Sequence, residues 1–246
     1  MDIDITQPVE IDDGVFWVGF DDKESGLHCN PYVLVDQGEA IFFDPGSVPH
    51  FPQVLQKLVK VVEIKQITHF VVTHQDPDLC AAIPKFEELV YGNGGSARIV
   101  AHTRASVLIA HYGVRSEFYH IDLNDWKLTL RSGRELQFVF APYLHFPGAY
   151  MTYDPTSRIL FSGDIFGAFS FDWNLYANEY YIEAMKAFHE NYMPSNRILR
   201  TAMGRLDPLD IKMIAPQHGS IIKEDVRRYI DVLRELDCGD YILHQD

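Results

Sequence analysis

Cysteine is scarce in this chain of 246 residues, with Cys29, Cys80 and Cys238 the full set. Odd in number and without metal-ligand spacing, they suit neither a disulfide framework nor a thiolate metal site, and a reducing, cytoplasmic setting is expected. Basic residues are outnumbered, 21 Lys and Arg against 35 Asp and Glu, which leaves a formal net charge of −14. Phosphate binding needs a basic face, so this balance argues against nucleic acid and against anionic lipid surfaces. No run approaches the roughly 18 apolar residues that a membrane helix requires. The acidic start, Met1 to Asp13, has neither the basic nor the apolar part of a secretory leader, and none is expected. Low-complexity tracts, short repeats and linkers are also missing.

What is present is a globular pattern. The chain is 47% hydrophobic, enough for a sizeable core, and its length suits one domain over residues 1–246. Short β-rich runs end at turn residues. They are Val15 to Phe20, Tyr32 to Val35, Glu39 to Phe43, His69 to Thr73, Arg98 to Ala101, Leu128 to Leu130, Leu136 to Ala141, Ala149 to Tyr153, Ile159 to Ser162 and Ile211 to Ala215. Helical spacing marks Phe51 to Val62, a helix from about Leu79 with Pro84 in its first turn, Thr103 to His111, Glu179 to Tyr192, Ile198 to Arg205 and Lys223 to Leu236. Strands cluster in two halves with helices between them. That order predicts an α/β (α+β) fold, two mixed sheets packed together with helices outside, an αββα sandwich.

The chemistry concentrates just past strand ends. Thr73-His74-Gln75-Asp76-Pro77-Asp78 lies between a strand and a helix. Its three alternate ligand-capable side chains can converge on a turn that Pro77 stiffens. Taken alone, the segment could equally be an Asx-rich helix cap. Three further strand ends carry one such residue each, beside Gly or Pro: His145 in Leu144–Gly148, Asp164 in Phe161–Gly167 and His218 in Ala215–Gly219. One loop histidine would be ordinary, but four strand-end sites of this kind are where αβ sheets assemble a functional centre. Imidazoles and carboxylates together suit hard or borderline metals.

The order His74-x-Asp76-x-Asp78, His145, Asp164, His218 resembles the metal signature of the metallo-β-lactamase superfamily. Within it the chain resembles the di-iron domain of flavodiiron proteins, the dioxygen and nitric-oxide reductases. The likeness runs from about Val9 to Leu236 and includes His145-Phe146-Pro147, Met151-Thr152-Tyr153, Ile159 to Gly167, Tyr180-Tyr181 and Lys212 to Gly219. It implies a metallo-β-lactamase sandwich and two iron ions. His74, Asp76 and His145 would hold the first, Asp78 and His218 the second, and Asp164 would bridge them. Asp76 stands where zinc hydrolases of the superfamily usually carry histidine, and an anionic oxygen ligand there favours a harder, redox-active ion. Two departures stand out. Asp76 is one methylene shorter than the family's more common Glu, and Leu79 replaces a frequent histidine, leaving an apolar neighbour beside an open metal position.

Behind the ligands, His28 of the Gly26–Asn30 loop is a candidate hydrogen-bond donor to a bound oxygen species. Asp44 either orients a ligand histidine or makes an Asx turn. Tyr176, Tyr180 and Tyr181 either line the pocket or pack, and Phe146, Phe166 and Trp173 are candidate walls of a gas pocket. Cys80 reads as a small buried residue.

The flavodoxin-like domain that supplies electrons in the family has no counterpart in these residues, so no FMN is expected in this chain. The reading placed first is therefore an oxygen sensor, in which dioxygen binds as a peroxide-type adduct and a signalling protein is the partner. The alternatives are a dioxygen or nitric-oxide reductase fed by a separate electron-donor protein, and a dinuclear zinc hydrolase. The resemblance also implies a homodimer.

Overall fold

The computed structural model describes residues 3–169 and 173–239. A first sheet has seven strands in sequence order. They are β1 (Val9–Asp12), β2 (Val15–Trp17), β3 (Tyr32–Asp36), β4 (Glu39–Phe43), β5 (Ile67–Val71), β6 (Arg98–Ala101) and β7 (Glu117–His120). Neighbours from β1 to β4 are antiparallel and those from β4 to β7 are parallel. The second sheet runs β12-β11-β10-β9-β8, from β8 (Lys127–Thr129), β9 (Glu135–Phe140), β10 (Tyr150–Asp154), β11 (Ile159–Gly163) and β12 (Met213–Pro216). Only its β11–β12 pair is parallel. The helices are α1 (Phe51–Leu58), α2 (Pro77–Cys80), α3 (Ile83–Gly92), α4 (Thr103–Ile109), α5 (Tyr181–Tyr192), α6 (Asn196–Gly204) and α7 (Val226–Glu235).

Alternation along the strands assigns each residue to one of three apolar layers. Tyr32, Leu34, Ile41 and Phe43 meet Phe138, Tyr150, Ile159 and Phe161 between the sheets. The intervening Val33 and Phe42, with Phe70 and Ile99, face Val54, Leu58, Phe86 and Val90 of α1 and α3. On the far side, Met151, Leu160 and Ile214 pack on Met185, Leu199, Met203 and Leu233 of α5 to α7. Both faces of each sheet are covered, so the central strands are apolar almost throughout. This is the αββα sandwich of two mixed sheets that the strand and helix order predicts, and the fold that the resemblance to the metallo-β-lactamase superfamily implies.

Several elements differ from the sequence reading. The helix expected from about Leu79 is two helices. The Ala82 N–H donates to the Gly46 carbonyl at 3.0 Å instead of continuing α2, and α3 restarts at Ile83 with Pro84 in its first turn. Strands β1, Val-Glu-Ile-Asp, and β7, Glu-Phe-Tyr-His, escaped the pattern, their apolar residues being too few and too mixed with polar ones to read as a β-rich run. The strand expected to run on to Phe20 ends at Trp17, where the chain turns toward the loop that carries His28. Among the described residues, no helix is long and apolar enough to cross a membrane.

Candidate metal centre

The six sequence-predicted ligands meet at the carboxyl ends of β5, β9, β11 and β12. His74, Asp76 and Asp78 lie on the turn from β5 into α2, and His145 lies on the β9–β10 loop, after a cis Leu144–His145 peptide. Asp164 directly follows β11, and His218 comes two residues after β12. His74, Asp164 and His218 are buried and form the floor, while Asp76, Asp78 and His145 are partly open at the mouth.

Asp164 joins two groups. Its Oδ2 lies 3.4 Å from His74 Nε2 and 3.1 Å from His145 Nε2, and its Oδ1 lies 3.4 Å from His218 Nε2. Asp76 Oδ2 lies 3.5 Å from His74 Nε2 and 3.2 Å from His145 Nε2; Asp78 Oδ2 lies 3.1 Å from His218 Nε2. A first-row cation holding N and O ligands at about 2.1 Å puts neighbouring ligand atoms roughly 3.0–3.4 Å apart. The donor spacing therefore fits a cation on each side of Asp164. His74 Nε2 and Asp164 Oδ1 are, moreover, buried without a hydrogen bond, and such orphaned polar atoms are costly unless something else satisfies them.

Without a cation the imidazoles carry the balancing charge. Hydrogen bonds to Asp164 and then Asp76 hold His145 up at about 10. Burial pushes His74 and His218 down, but Asp164 and its neighbours outweigh it and raise both. Burial likewise pushes Asp164 and Asp76 up, and the facing histidines reverse it and hold both low. Metal ions would take over this role and displace the protons.

The residues behind the ligands set their aim. Asp44, in the left-handed region at φ 42°, does not touch a histidine. Its Oδ1 accepts the Thr73 N–H at 2.9 Å and its Oδ2 accepts the Thr73 hydroxyl at 3.0 Å, which fixes the residue before His74. Burial lifts the Asp44 carboxyl to about 7. Gly163 has φ +59°, and a Cβ there would stand 2.8 Å from Thr73 Oγ1, so only glycine lets the Asp164 strand end approach the His74 turn. Tyr112 donates its hydroxyl to the Gln75 carbonyl at 2.9 Å. Cys80 is buried and donates weakly to the Gln75 and Asp76 carbonyls.

His28 reaches the centre through its main chain. Its carbonyl accepts from His218 Nδ1 at 3.2 Å, which leaves Nε2 free to bind metal. The His28 ring stacks on Trp173, with centroids 4.8 Å apart, and its Nδ1 accepts the Asp22 N–H at 3.2 Å. Leu79 is fully buried in the layer between the first sheet and its helices. Tyr180 is not brought in: it is 74% exposed ahead of α5, and the next residue, Tyr181, turns inward and donates its hydroxyl to the Phe166 carbonyl at 2.8 Å.

Three neighbours escaped the sequence reading. Cys29 places its sulfur 3.9 Å from His218 Nδ1. Tyr192 sets its ring edge-on to His145, with centroids 6.0 Å apart, and with Phe169 and Phe188 forms an aromatic wall beside that ligand. His189, on the buried face of α5, accepts the Phe166 N–H on Nε2 at 3.0 Å and donates from Nδ1 to the Met185 carbonyl at 2.7 Å. Burial pushes His189 down to about 4, which keeps it neutral and able to do both. Only its i, i+4 relation to Met185 was visible in the sequence.

His189 thereby anchors the turn that carries Asp164. His189→Leu leaves the Phe166 N–H unpaired and is expected to cost about 1–3 kcal/mol. It should also weaken metal retention by roughly 10–100-fold, and His189→Gln should restore part of it. Chelator competition alongside thermal unfolding checks this; a loss of stability with metal retention untouched would reduce His189 to a packing role.

A family model described as "ODP family beta lactamase" matches residues 27–219. Among curated proteins, the chain is 29% identical over 254 aligned positions to "Nitric oxide reductase" of Moorella thermoacetica, covering 92% of this chain and 60% of that protein. It thus spans less than two thirds of the length of that relative. A solved structure titled "Peroxy diiron species of chemotaxis sensor ODP" is 28% identical with a TM-score of 0.80, covering 96% of this chain and 97% of that one. The flavodiiron protein from Giardia intestinalis superposes with a TM-score of 0.82 at 23% identity over 92% of this chain and 58% of that one, a likeness of fold.

Proposed function

From the premise that this chain belongs to the ODP family beta lactamase family, we propose that it holds two iron ions and binds dioxygen as a sensor. His74, Asp76 and His145 would hold one ion, Asp78 and His218 the other, with Asp164 between them. The observation that carries the reading is Asp164, whose two oxygens face opposite histidine groups. Carboxylate at Asp76, where a zinc hydrolase would offer imidazole, supports iron. Bound as a ferrous pair, the cofactor supplies one electron from each ion to dioxygen.

This chain's own groups govern the rest. Asp164 would screen two cations from each other, and the His28 carbonyl, which accepts from His218 Nδ1, would keep His218 in the tautomer that presents Nε2. The wall of Tyr192, Phe169 and Phe188 limits water beside His145. A signalling partner would read the centre through the loops that carry the ligands, because a ligand that favours one loop arrangement shifts the population toward it. Sensor is placed before reductase because the likeness to the protein titled a chemotaxis sensor extends over 97% of that chain, whereas the curated relative named a nitric oxide reductase is covered over 60%.

Protein purified from iron-replete cells is expected to contain about two iron atoms per chain. Reduced and mixed with air, it should develop a visible absorption band that persists, with oxygen uptake stopping near stoichiometry. Zinc in place of iron, with hydrolysis of model esters, would overturn the metal assignment. Rapid sustained oxygen or nitric-oxide consumption with a rubredoxin- or ferredoxin-type donor, and no lasting band, would replace sensor by reductase.

A further inference from the structure

The amino ends of the parallel strands carry a second concavity, remote from the metal centre. His69 on β5 pairs with Arg98 at the start of β6, and Arg98 pairs with Glu117 at the start of β7. His74 leaves the opposite end of β5, five residues further on, which is roughly 15 Å of extended chain. The concavity has a volume of about 420 Å³ and is lined by Thr68, His69, Tyr91 and three arginines, Arg98, Arg115 and Arg131. Arg98 comes from a strand start, Arg115 from the segment before β7, and Arg131 from the turn between β8 and β9 of the other sheet. Residues from both sheets therefore line one space, three arginines among them.

Like most arginines of this chain, these three enter no ion pair among the described residues. With a net charge of −14, counter-charge is plentiful, and ion pairs engage Arg134, Arg158, Arg227 and Arg234. Among the described residues, Arg98, Arg115 and Arg131 have no carboxylate within 4.0 Å of a guanidinium nitrogen. Two lie over aromatic rings instead. The Arg98 guanidinium lies over Tyr119 at 5.0 Å from the ring centroid, and Arg115 lies over Tyr91 at 5.5 Å. Tyr91 is itself fixed by a 2.6 Å hydrogen bond with Ser116. A guanidinium stacked by its face keeps its N–H edge available.

Two buried acids beside the group are already engaged, and one of them, Glu87, accepts the Arg115 and Ser116 main-chain N–H groups, the latter at 2.7 Å. Glu39 accepts the Thr68 hydroxyl at 2.9 Å and the Arg131 N–H at 2.7 Å. His69 sits 3.8 Å from Glu39. Burial, with Arg98 and Arg131 adding to it, outweighs Glu39 and holds His69 at about 4, so the cavity's histidine is neutral and cationic charge comes from the arginines alone. Glu117 is the one carboxylate on the lining.

We propose that this cavity binds a phosphate monoester of mononucleotide size, with Arg98, Arg115 and Arg131 holding the phosphate. Guanidinium groups arriving from three elements match a tetrahedral dianion that presents oxygens in several directions. A planar carboxylate is served by one fork. The volume falls in the small-molecule range of roughly 300–1,000 Å³, more than a free phosphate fills, and Tyr91 and His69 offer flat surfaces for the organic part. The inference does not depend on what the metal centre holds.

The test is calorimetric titration of the metal-loaded full chain with AMP, inorganic phosphate and succinate as separate probes, at fixed moderate salt. Saturable AMP binding is expected, with phosphate competing more weakly and succinate silent. Arg98→Gln and Arg131→Gln should each weaken AMP binding by about tenfold or more, with iron content and circular dichroism unchanged. Arg98→Lys, which keeps charge but loses the fork, should recover only part. No saturation by AMP up to ~10 mM would overturn the site. So would equal binding of succinate, or AMP binding that survives both substitutions. Phosphate bound with no gain for AMP would overturn the mononucleotide size.

Discussion

Asp164→Ala protein is expected to emerge from purification with both irons gone, falling from about two per chain to a few tenths or less. Among the described residues Asp164 alone has oxygens facing both histidine groups, at 3.4 Å from His74, 3.1 Å from His145 and 3.4 Å from His218. A carboxylate between two dications screens their repulsion, which in a buried setting is large. Once it is lost, neither half retains enough anionic charge to compensate. Asp164→Asn keeps the shape and removes the charge, so it should behave the same way, which separates electrostatics from packing. His218→Ala removes a ligand from one side only and should leave about one iron. Metal analysis with thermal unfolding of each variant checks the series. Equal, partial loss in Asp164→Ala and His218→Ala would show that the bridging assignment is wrong.

The largest stability effect is expected far from the metal, at Arg134. Its guanidinium donates to both oxygens of Asp154, through Nε at 3.1 Å and through Nη2. Asp154 is fully buried at the end of β10, and its carboxylate also accepts the Thr156 and Ser157 main-chain N–H groups. Arg134→Leu would leave that carboxylate buried without its counter-charge, a loss of about 3–5 kcal/mol. For a chain of this size, this lowers Tm by roughly 6–20 °C.

The pH dependence has a defined sign. Burial pushes Asp154 up, but the Arg134 and Ser157 hydrogen bonds outweigh it, so the folded value lies below the unfolded one. The contribution is therefore complete above the ordinary carboxylate range near pH 4 and is lost as pH falls through the folded value. The difference between wild type and variant should be widest at neutral pH and shrink in acid. A gap under about 1 kcal/mol at pH 7 would class the pair with exposed ion pairs.

The sequence reading worked best where local pattern and chemistry coincide. His74, His145, Asp164 and His218 each lie shortly after a β-rich run in a segment that holds Gly or Pro, so they stood out as candidates one loop at a time. Neighbouring positions on a helix were harder. Tyr180 and Tyr181 look alike in the sequence, yet the roughly 100° step between adjacent helical residues sends one to solvent and the other under the Asp164 turn. The split between α2 and α3 depended on the Gly46 carbonyl, which lies on another segment.

By itself, then, the sequence determined the αββα layering and the six ligand candidates, while the expectation of iron over zinc rested on the family resemblance at Asp76. The layering and the candidates follow from periodicity and donor type, which are properties of neighbouring residues. The tertiary structure alone decided which Asp164 oxygen faces which histidine. It also decided that His28 acts through a carbonyl 190 positions from His218, that His189 supports the Asp164 turn, and that three arginines from two sheets line one cavity. Those relations depend on strand order and on how the sheets are stacked. A pattern of buried and exposed positions records which face of a strand is covered, but not which distant segment covers it.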